Sequence, residues 1–454
     1  MLNAEEPKVV RKFGKSIPWL AEAVKSVELA SDLDISEMES INNSNNRCGI
    51  CKAGKMLCGK KSCPLLTRIQ SYLKIKPMYN KATLEGASPP GVFVGHFGYP
   101  NVFAGPLVPP LQGDTSQLDV PETWFGKTIE EIIDMRFKLV RGKYRINVNK
   151  PELGGRILEN TKLLGLADRS VDVDLAFNSK PNSTFTLNAD AQPMGPSAVM
   201  KSLEVNDNIK AERHLEKAYN DTDLKSVDAV IELYNKDIKL SSIQRAFSVG
   251  AFGLEKQRKL VPTRWSITAV DSMLSKEIME EIKLYPTINE FRIYESTYLD
   301  NCFQIIMLPE KWNYECIEAW YPGTIWNPFD ENIQMFGDWE GYHGRTNYAR
   351  IGGCYYAARL AVNDLLKKER RQAGVCILRE IRPGYIMPVG VWNVRENVRY
   401  ALKQKPLKFS TFNEVLGHVK SKLNINLDIW KQNSHIITDT LEQKKITDFF
   451  KKIK

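Results

Sequence analysis

The chain has 454 residues, of which 43% are hydrophobic and 26% charged, so it can bury a substantial core and is neither disordered nor collagen-like. No stretch approaches the ~20 consecutive apolar residues of a membrane span, and the N-terminal residues lack the apolar core of a secretory signal. We therefore expect a cytoplasmic protein with reduced cysteines and no membrane partner. Its net charge of +9 is compatible with nucleic-acid binding but does not establish it.

The positive charge is concentrated in two segments. Residues 47–81 contain nine Lys or Arg and no Asp or Glu, and residues 401–454 carry a net charge of +6. The rest of the chain has a net charge of −6. We therefore expect a slightly acidic body with two basic attachments, and these attachments are the segments expected to approach DNA.

The first of these segments contains four closely spaced cysteines: Cys48, Cys51, Cys58 and Cys63. Four thiolates in so short a run favour a tetrahedral structural zinc ion (Zn2+). An iron–sulfur cluster is one alternative, because Cys63 is followed by proline as in ferredoxin ligand runs, and reduced cysteines without a metal are another. The other four cysteines are predicted to be buried as small hydrophobic residues: Cys302, Cys316, Cys354 and Cys376.

Helices and strands alternate irregularly along the sequence. Apolar residues at helical spacing predict helices over 18–30, 65–73, 129–135, 222–238, 267–284, 347–370 and 411–423. Runs of β-branched and aromatic residues predict strands over 184–187, within 289–321, and over 375–381 and 385–394. The expected fold class is therefore α+β, with mixed sheets and helices rather than a doubly wound parallel sheet.

The composition suggests four parts. The predicted boundaries are 1–85 for an N-terminal helix and the small zinc-binding module, 86–286 for a Gly/Pro-rich α+β domain, 287–435 for a second α+β domain, and 436–454 for a flexible C-terminal tail. The tail is expected to be mobile because it is mostly polar until its last residues.

Residues 86–110 are dense in Gly and Pro and are also apolar. Gly and Pro mark tight turns, whereas the apolar residues argue against a solvated linker. We therefore expect short strands and turns packed into the body. Within this run, His96 could bind an unpaired base or a nucleotide beside Phe93, Phe97 and Tyr99 by aromatic stacking. An ordinary packed aromatic cluster is the alternative.

The strongest catalytic candidate is a short run that contains Asp338, Glu340, His343 and Arg345. If the run is extended, Asp338 and Glu340 share one face of a strand, and with His343 they could hold Mg²⁺ or Mn²⁺ with open water positions. Arg345 could then face a phosphate. The alternative is a loop with structural ion pairs. Four later charged residues are candidates to converge on this site: Arg379, Glu380, Arg395 and Glu396.

Other catalytic motifs are missing or incomplete. Gly126-Lys127-Thr128 ends like a phosphate-binding loop, but position 121 is Pro instead of the required Gly. Neither a Gly-x-Ser-x-Gly elbow nor a His-Glu-x-x-His pair occurs. The sequence therefore does not identify a reaction.

The C-terminal peptide has a regular pattern of its own. Gln443, Ile446, Phe449 and Phe450 lie at relative positions 0, 3, 6 and 7, so a short helical turn would place the three apolar residues on one side for a partner's pocket. The pattern resembles the PIP motif, which binds the DNA sliding clamp (PCNA). The resemblance implies that the Gln enters a small polar pocket and that the apolar residues fill a hydrophobic one.

Several motifs along the chain point to one family: Ser88-Pro-Pro-Gly91, Gly98-Tyr-Pro100, Gly105-Pro-Leu107, Gly337–Arg345 and Pro388–Glu396. Together with the four-cysteine module and the terminal peptide, they resemble the archaeal Nre proteins from about Cys48 to Phe450. The resemblance implies DNA repair linked to the sliding clamp. It implies no particular reaction.

We therefore expect a DNA damage repair factor that is recruited to DNA by the sliding clamp, carries a structural zinc module and associates with the nucleoid. The alternative is a metal-dependent nuclease, or another nucleotide-processing enzyme, centred on Asp338, Glu340 and His343. A third possibility is an adaptor without DNA contact, whose zinc module binds protein.

Overall fold

The computed structural model describes residues 55, 62–79, 81–182, 193–324, 326–327 and 331–442. The predicted helix over 18–30 and the predicted strand over 184–187 lie outside these residues. Within them, twelve strands form two six-stranded sheets and twelve α-helices cover or separate the sheets. The expected α+β class with mixed sheets is therefore confirmed.

The first sheet has the strand order β1-β5-β6-β4-β3-β2. Its strands are β1 (Thr83–Ser88), β2 (Val92–Val94), β3 (Asn101–Val108), β4 (Val140–Asn147), β5 (Val171–Phe177) and β6 (Ser197–Val205). Strands β4 and β6 pair in parallel, and the other neighbours are antiparallel. One face of the sheet is apolar and packs on helices, whereas charged residues alternate on the other face.

The second sheet has the order β10-β9-β11-β8-β7-β12. Its strands are β7 (Phe291–Tyr298), β8 (Asn301–Leu308), β9 (Asn313–Trp320), β10 (Gln334–Glu340), β11 (Gly374–Ile381) and β12 (Leu407–Phe409). Strand β11 lies between β9, to which it is parallel, and β8, to which it is antiparallel. Strands β8 and β11 are buried along their whole length, as expected for a sheet covered on both faces.

The helices in the first half of the chain are α1 (Pro64–Ile75), α2 (Ile129–Lys138), α3 (Gly155–Leu166), α4 (Arg213–Asn220), α5 (Ser226–Asn235) and α6 (Leu240–Ser248). Those in the second half are α7 (Thr263–Ile282), α8 (Gly353–Glu369), α9 (Trp392–Leu402), α10 (Phe412–Lys422), α11 (Leu427–Asn433) and α12 (His435–Glu442). Helices α7, α8 and α9 contact one another between the two sheets, while α10, α11 and α12 cover the far face of the second sheet.

Most of the predicted elements within the described residues are confirmed, with shifted ends. The predicted helix over 347–370 begins only at Gly353, because Gly352 has a φ of +62° and interrupts the helix. The predicted helix over 411–423 is α10, where Thr411 and Glu414 form a capping box. The predicted tail boundary at 436 falls inside α12, whose Ile436 and Ile437 are buried.

The predicted strand over 385–394 is wrong. Residues 382–391 form no regular element, and α9 begins at Trp392. Pro388 cannot donate a hydrogen bond to a strand ladder, and Gly390 turns the chain with a φ of +122°. Tyr385 and Ile386 are buried nevertheless, so the apolar pattern reports burial and not strand pairing.

The cysteines outside the N-terminal segment follow the prediction in part. Cys302, Cys316 and Cys376 are buried in strands of the second sheet, whereas Cys354 in α8 is only partly buried. Among the described residues, no helix combines the length and the apolar composition that crossing a bilayer requires.

Candidate nucleic-acid interface and the predicted acidic site

Asp338 lies on β10 and is held by neighbouring donors. The guanidinium of Arg345 donates to its carboxylate at 2.9 Å, and the backbone N–H of Arg350 donates at 2.7 Å. Burial alone would raise the pKa of the Asp338 carboxyl, but these hydrogen bonds together hold the pKa below its usual value. Asp338 is therefore ionised at neutral pH, and its charge is already neutralised by Arg345.

Glu340 lies two residues further along β10, so the two carboxylates share one face of the strand, as a period of two requires. Its side chain is fully buried and accepts a hydrogen bond from Arg359 in α8 at 2.6 Å. Arg359 also donates to Ser275 of α7 at 3.1 Å. The two carboxylates are thus held by two different arginines, in the manner of the structural ion pairs considered above.

The other predicted members of this site lie elsewhere. His343 is exposed and contacts the ring of Tyr342. Four further side chains pair separately: Arg379 with Glu318, Glu380 with Arg382, Arg395 with Asp271, and Glu396 with Arg399. Within the part of the chain that the structure describes, no three His, Cys, Asp or Glu side chains are grouped to hold a metal ion.

The Gly/Pro-rich run folds as expected into short strands joined by a tight turn. The turn between β2 and β3 is closed by the N–H of Asn101, which donates to the carbonyl of Gly98 at 2.8 Å. Gly98 has a φ of +78°, a conformation that favours glycine. The N–H of Val94 donates to the hydroxyl of Thr263 at 2.9 Å. The turn is therefore fixed against the N-terminal end of α7.

Exposed aromatic rings lie where the β2–β3 turn contacts the N-terminal end of α7. Phe97 is 82% exposed, and the half-exposed rings of Tyr99 and Trp265 lie 5.1 Å apart. Tyr348 is 66% exposed and lies beside the exposed Arg264. We call Phe97, Tyr99, Trp265 and Tyr348 the aromatic surface. It joins three segments distant in sequence: the β2–β3 turn, the first turn of α7 and the loop before α8.

His96 lies at the edge of the aromatic surface, with its ring 4.1 Å from that of Phe97. Burial and the charge of Arg264 lower the pKa of His96, so the imidazole is neutral at neutral pH. Phe93 is separate from the aromatic surface, because it packs with Leu107 in a small apolar cluster.

Sequence reasoning did not include Trp265 and Tyr348 in this site. The predicted helix over 267–284 started too late to include Trp265, and the predicted helix over 347–370 placed Tyr348 inside regular structure. An aromatic residue next to Arg264 in the first turn of a helix was the available signal.

The aromatic surface has a clear chemical capability. Exposed rings beside a guanidinium can stack on unpaired bases and attract phosphate, and each base–aromatic stack is worth about 1–3 kcal/mol. Grouped exposed aromatic rings are typical of binding surfaces and are unusual on surfaces without a binding partner. The arrangement is therefore suited to nucleic acid.

Two predicted binding sites lie largely outside the described residues. These are Cys48, Cys51 and Cys58 of the cysteine module, and Gln443, Ile446, Phe449 and Phe450 of the terminal peptide. Cys63 is described; it is partly buried and directly precedes α1, and its carbonyl accepts a hydrogen bond from the Thr67 hydroxyl at 3.1 Å.

Comparison with known proteins identifies relatives over most of the chain. Residues 57–327 match the family described as "Archaeal Nre, N-terminal", and residues 340–449 match "Archaeal Nre, C-terminal". No solved structure matches.

Curated relatives are archaeal. "DNA repair protein NreB" of Archaeoglobus fulgidus is 38% identical over 86% of this chain and 96% of its own length. "DNA repair protein NreA" of the same organism is 38% identical over 82% of this chain and 92% of its own length. "DNA repair protein NreA" of Haloferax volcanii is 31% identical over 82% of this chain and 91% of its own length. On these grounds the chain belongs to the archaeal Nre family.

Proposed function

We propose that this chain is a DNA repair factor that contacts DNA through the aromatic surface and is recruited by the sliding clamp (PCNA) through its C-terminal peptide. The observation that carries the proposal is the exposed group of rings around Arg264. The names of its relatives, which are DNA repair proteins, support the repair role.

The clamp interaction is supported by sequence and position. Gln443, Ile446, Phe449 and Phe450 match all four positions of the PIP motif. Helix α12 includes Glu442, so the peptide directly follows the folded body in the sequence. Tethering to a clamp raises the local concentration of a repair factor at DNA without requiring tight DNA binding of its own.

A structural zinc ion in the cysteine module completes the proposal. Four thiolates can close a tetrahedral zinc site, and the surrounding basic residues offset their negative charge. The net charge of residues 47–81 would then remain positive after metal binding, which suits contact with phosphates.

Calorimetry with the purified clamp tests recruitment. Substitution of both Phe449 and Phe450 by Ala removes the two aromatic side chains that the motif uses to fill the clamp's hydrophobic pocket, so we expect the clamp affinity to fall at least about 100-fold. Substitution of Lys444 and Lys445 by Ala, at positions the motif leaves open, is the matched control. An unchanged affinity of the Phe variant would refute recruitment through this peptide.

Metal analysis of the full chain tests the cysteine module. We expect one zinc per chain, and its loss on Cys51→Ser. Iron with the visible absorbance of a cluster would favour the iron–sulfur alternative.

DNA binding at several salt concentrations separates a DNA-contacting factor from an adaptor. Phosphate contacts make the logarithm of the binding constant fall linearly with the logarithm of the salt concentration. An adaptor that binds only protein would show no such dependence.

A further inference from the structure

The outer face of the first sheet carries a basic row that leads to the aromatic surface. Arg141, Lys143 and Arg145 alternate along β4 and therefore point to the same side. Arg145 is exposed, and the exposed Lys201 extends the row onto the neighbouring strand β6. The row covers roughly 13 Å at the usual rise of a strand. Arg141, at one end, is partly buried, and its guanidinium donates to the Met194 sulfur at 3.1 Å and to the Gly195 carbonyl at 3.4 Å. The exposed Arg145 and Lys201 are therefore the outermost cations of the row.

Aromatic rings lie between these cations. Phe103 of β3 is directly opposite Arg145 in the sheet, is partly exposed, and has the Lys143 ammonium 5.5 Å from its ring centre. Phe93 has the Arg141 guanidinium 5.9 Å from its ring. The face therefore alternates cations with rings, which is the composition of surfaces that bind single-stranded nucleic acid.

The basic row and the aromatic surface are continuous. The Asn147 amide at the end of β4 donates to Asn101 at 3.1 Å, and Asn101 directly follows the turn that bears Phe97 and Tyr99. The N–H of Val148 donates to the carbonyl of Pro100 in that turn. A nucleic-acid strand that is bound to the aromatic surface and extends across β3 would therefore next contact Arg145.

The opposite half of the same face has the opposite charge. Glu85, Asp174 and Glu204 lie directly opposite one another on β1, β5 and β6. Carboxylates in a row repel a polyanion, so phosphates are confined to the β3–β4 side. The acidic residues therefore mark one edge of the surface that a nucleic acid could occupy.

We propose that the substrate class of this surface is unpaired, single-stranded DNA, with bases stacked on the aromatic surface and phosphates running along the basic row of β4. The proposal rests on the proposed function, because it requires that the aromatic surface contacts DNA. Duplex DNA does not fit the same chemistry, since paired and stacked bases expose only their edges and not the ring faces that aromatic side chains need.

Binding of fluorescein-labelled dT24 and of a 24-base-pair duplex to the full chain, measured by anisotropy, tests the preference. We expect dT24 to bind at least tenfold more tightly than the duplex at equal salt. Equal affinity, or tighter duplex binding, would overturn the assignment while leaving DNA contact and clamp recruitment intact.

Stacking is tested by Trp265→Ala and Phe97→Ala. We expect each to weaken dT24 binding between about fivefold and 150-fold, the range that 1–3 kcal/mol per stacked base implies. Leu284→Ala is the control, because Leu284 is 83% exposed just beyond the opposite end of α7, roughly 28 Å from Trp265. Unchanged binding in both aromatic variants would refute the stacking role.

The phosphate path is tested by the double variant Lys143→Ala, Arg145→Ala. Loss of two phosphate contacts should reduce the slope of log affinity against log salt by about 1.4 for a single strand. The double variant Lys236→Ala, Lys276→Ala removes two exposed charges elsewhere on the body and should leave the slope unchanged. Equal effects of the two double variants would overturn the path.

Photo-cross-linking with dT24 that carries 4-thiothymine locates the strand directly. Adducts on Phe97, Tyr99, Phe103 or Trp265 support the proposal. Adducts confined to residues 47–63 would assign single-strand binding to the cysteine module instead and overturn the proposed site, while the wider proposal of a DNA repair factor would stand.

Discussion

Two motif-bearing regions of this chain both expose aromatic rings, Trp339 and Tyr342 in one and Phe97 and Tyr99 in the other, but they differ in charge. The run Gly337–Arg345 is rich in charge, yet Asp338 and Glu340 are each neutralised by an arginine. The turn that bears Phe97 and Tyr99 carries no carboxylate, yet it leaves large apolar rings in solvent. Aromatic rings are normally stabilised by burial in the core. Charged side chains inside a protein are normally paired with an opposite charge. The exposed rings therefore lack a structural explanation, whereas the paired charges have one.

The contrast lies in whether the side chains of each region already have partners. A cluster of carboxylates suggests chemistry in a sequence, but its partners decide whether the charges are available. Arg345 and Arg359 come from outside the strand that carries the two acids, and each supplies the positive charge beside one of the carboxylates. Single substitutions in each region test this contrast.

The largest effect is expected from Arg359→Met. This change leaves the Glu340 carboxylate buried without its partner, and breaking a buried pair costs about 3–5 kcal/mol of unfolding free energy. The double variant Arg359→Met, Glu340→Leu should recover much of the loss, because no charge then remains buried. Urea unfolding measures both. A loss below 1 kcal/mol in the single variant would show that Glu340 is not dependent on Arg359.

The second prediction is that the free energy of unfolding depends on pH through Asp271. Asp271 is fully buried beside Arg395, and burial raises its pKa to about 6, above the value of about 3.9 in unfolded chains. The carboxyl therefore contributes stability below about pH 4, and this contribution of about 3 kcal/mol is lost as the pH rises through 6.

The test compares urea unfolding of the wild type and Asp271→Asn at pH 4.5 and 7. The wild type should gain stability relative to the variant at the lower pH. Asp439→Asn, at an exposed position, is the control. A difference between wild type and variant that is independent of pH would contradict the raised pKa.

A smaller effect is expected from Asp338→Ala, because its pair with Arg345 lies at the edge of the core. We expect a loss of about 1–2 kcal/mol in unfolding free energy. The same variant addresses the nuclease alternative. With Mg²⁺ or Mn²⁺ and labelled damaged DNA, we expect no cleavage that depends on Asp338; metal-dependent cleavage that disappears in this variant would establish the catalytic site instead.

The smallest effect on folding is expected on the aromatic surface. Phe97→Ala should change the unfolding free energy by less than about 0.5 kcal/mol, because the ring is 82% exposed. Its effect should appear in DNA binding alone. A thermal-unfolding midpoint that falls by several degrees would show that Phe97 has a structural role.

Much of the fold could be predicted from local patterns. The periodic helices and the β-branched strands of the second sheet were predictable because each pattern reports which face is buried. The structure of the segment around Pro388 was not predictable in this way, because its apolar residues are buried without forming a paired strand. The aromatic surface was predictable only in part, because Phe97 and Tyr99 are near Trp265 through tertiary contacts alone. The charge of Asp338 was visible in the sequence, but its neutralisation by Arg345 depends on a loop conformation.

The position of β11 has a consequence for synthesis of the chain. Strands β8 and β9 are made first, and β11, which follows more than fifty residues later, lies between them. When the ribosome has released the first 327 residues, β8 still lacks β11, one of its two neighbours, and β9 lacks both of its neighbours, β10 and β11. We expect this region to remain incomplete, and dependent on protection from aggregation, until the later strand emerges. The two family segments are therefore one folding unit, and an in-frame separation at residues 328–339 should yield two insoluble fragments.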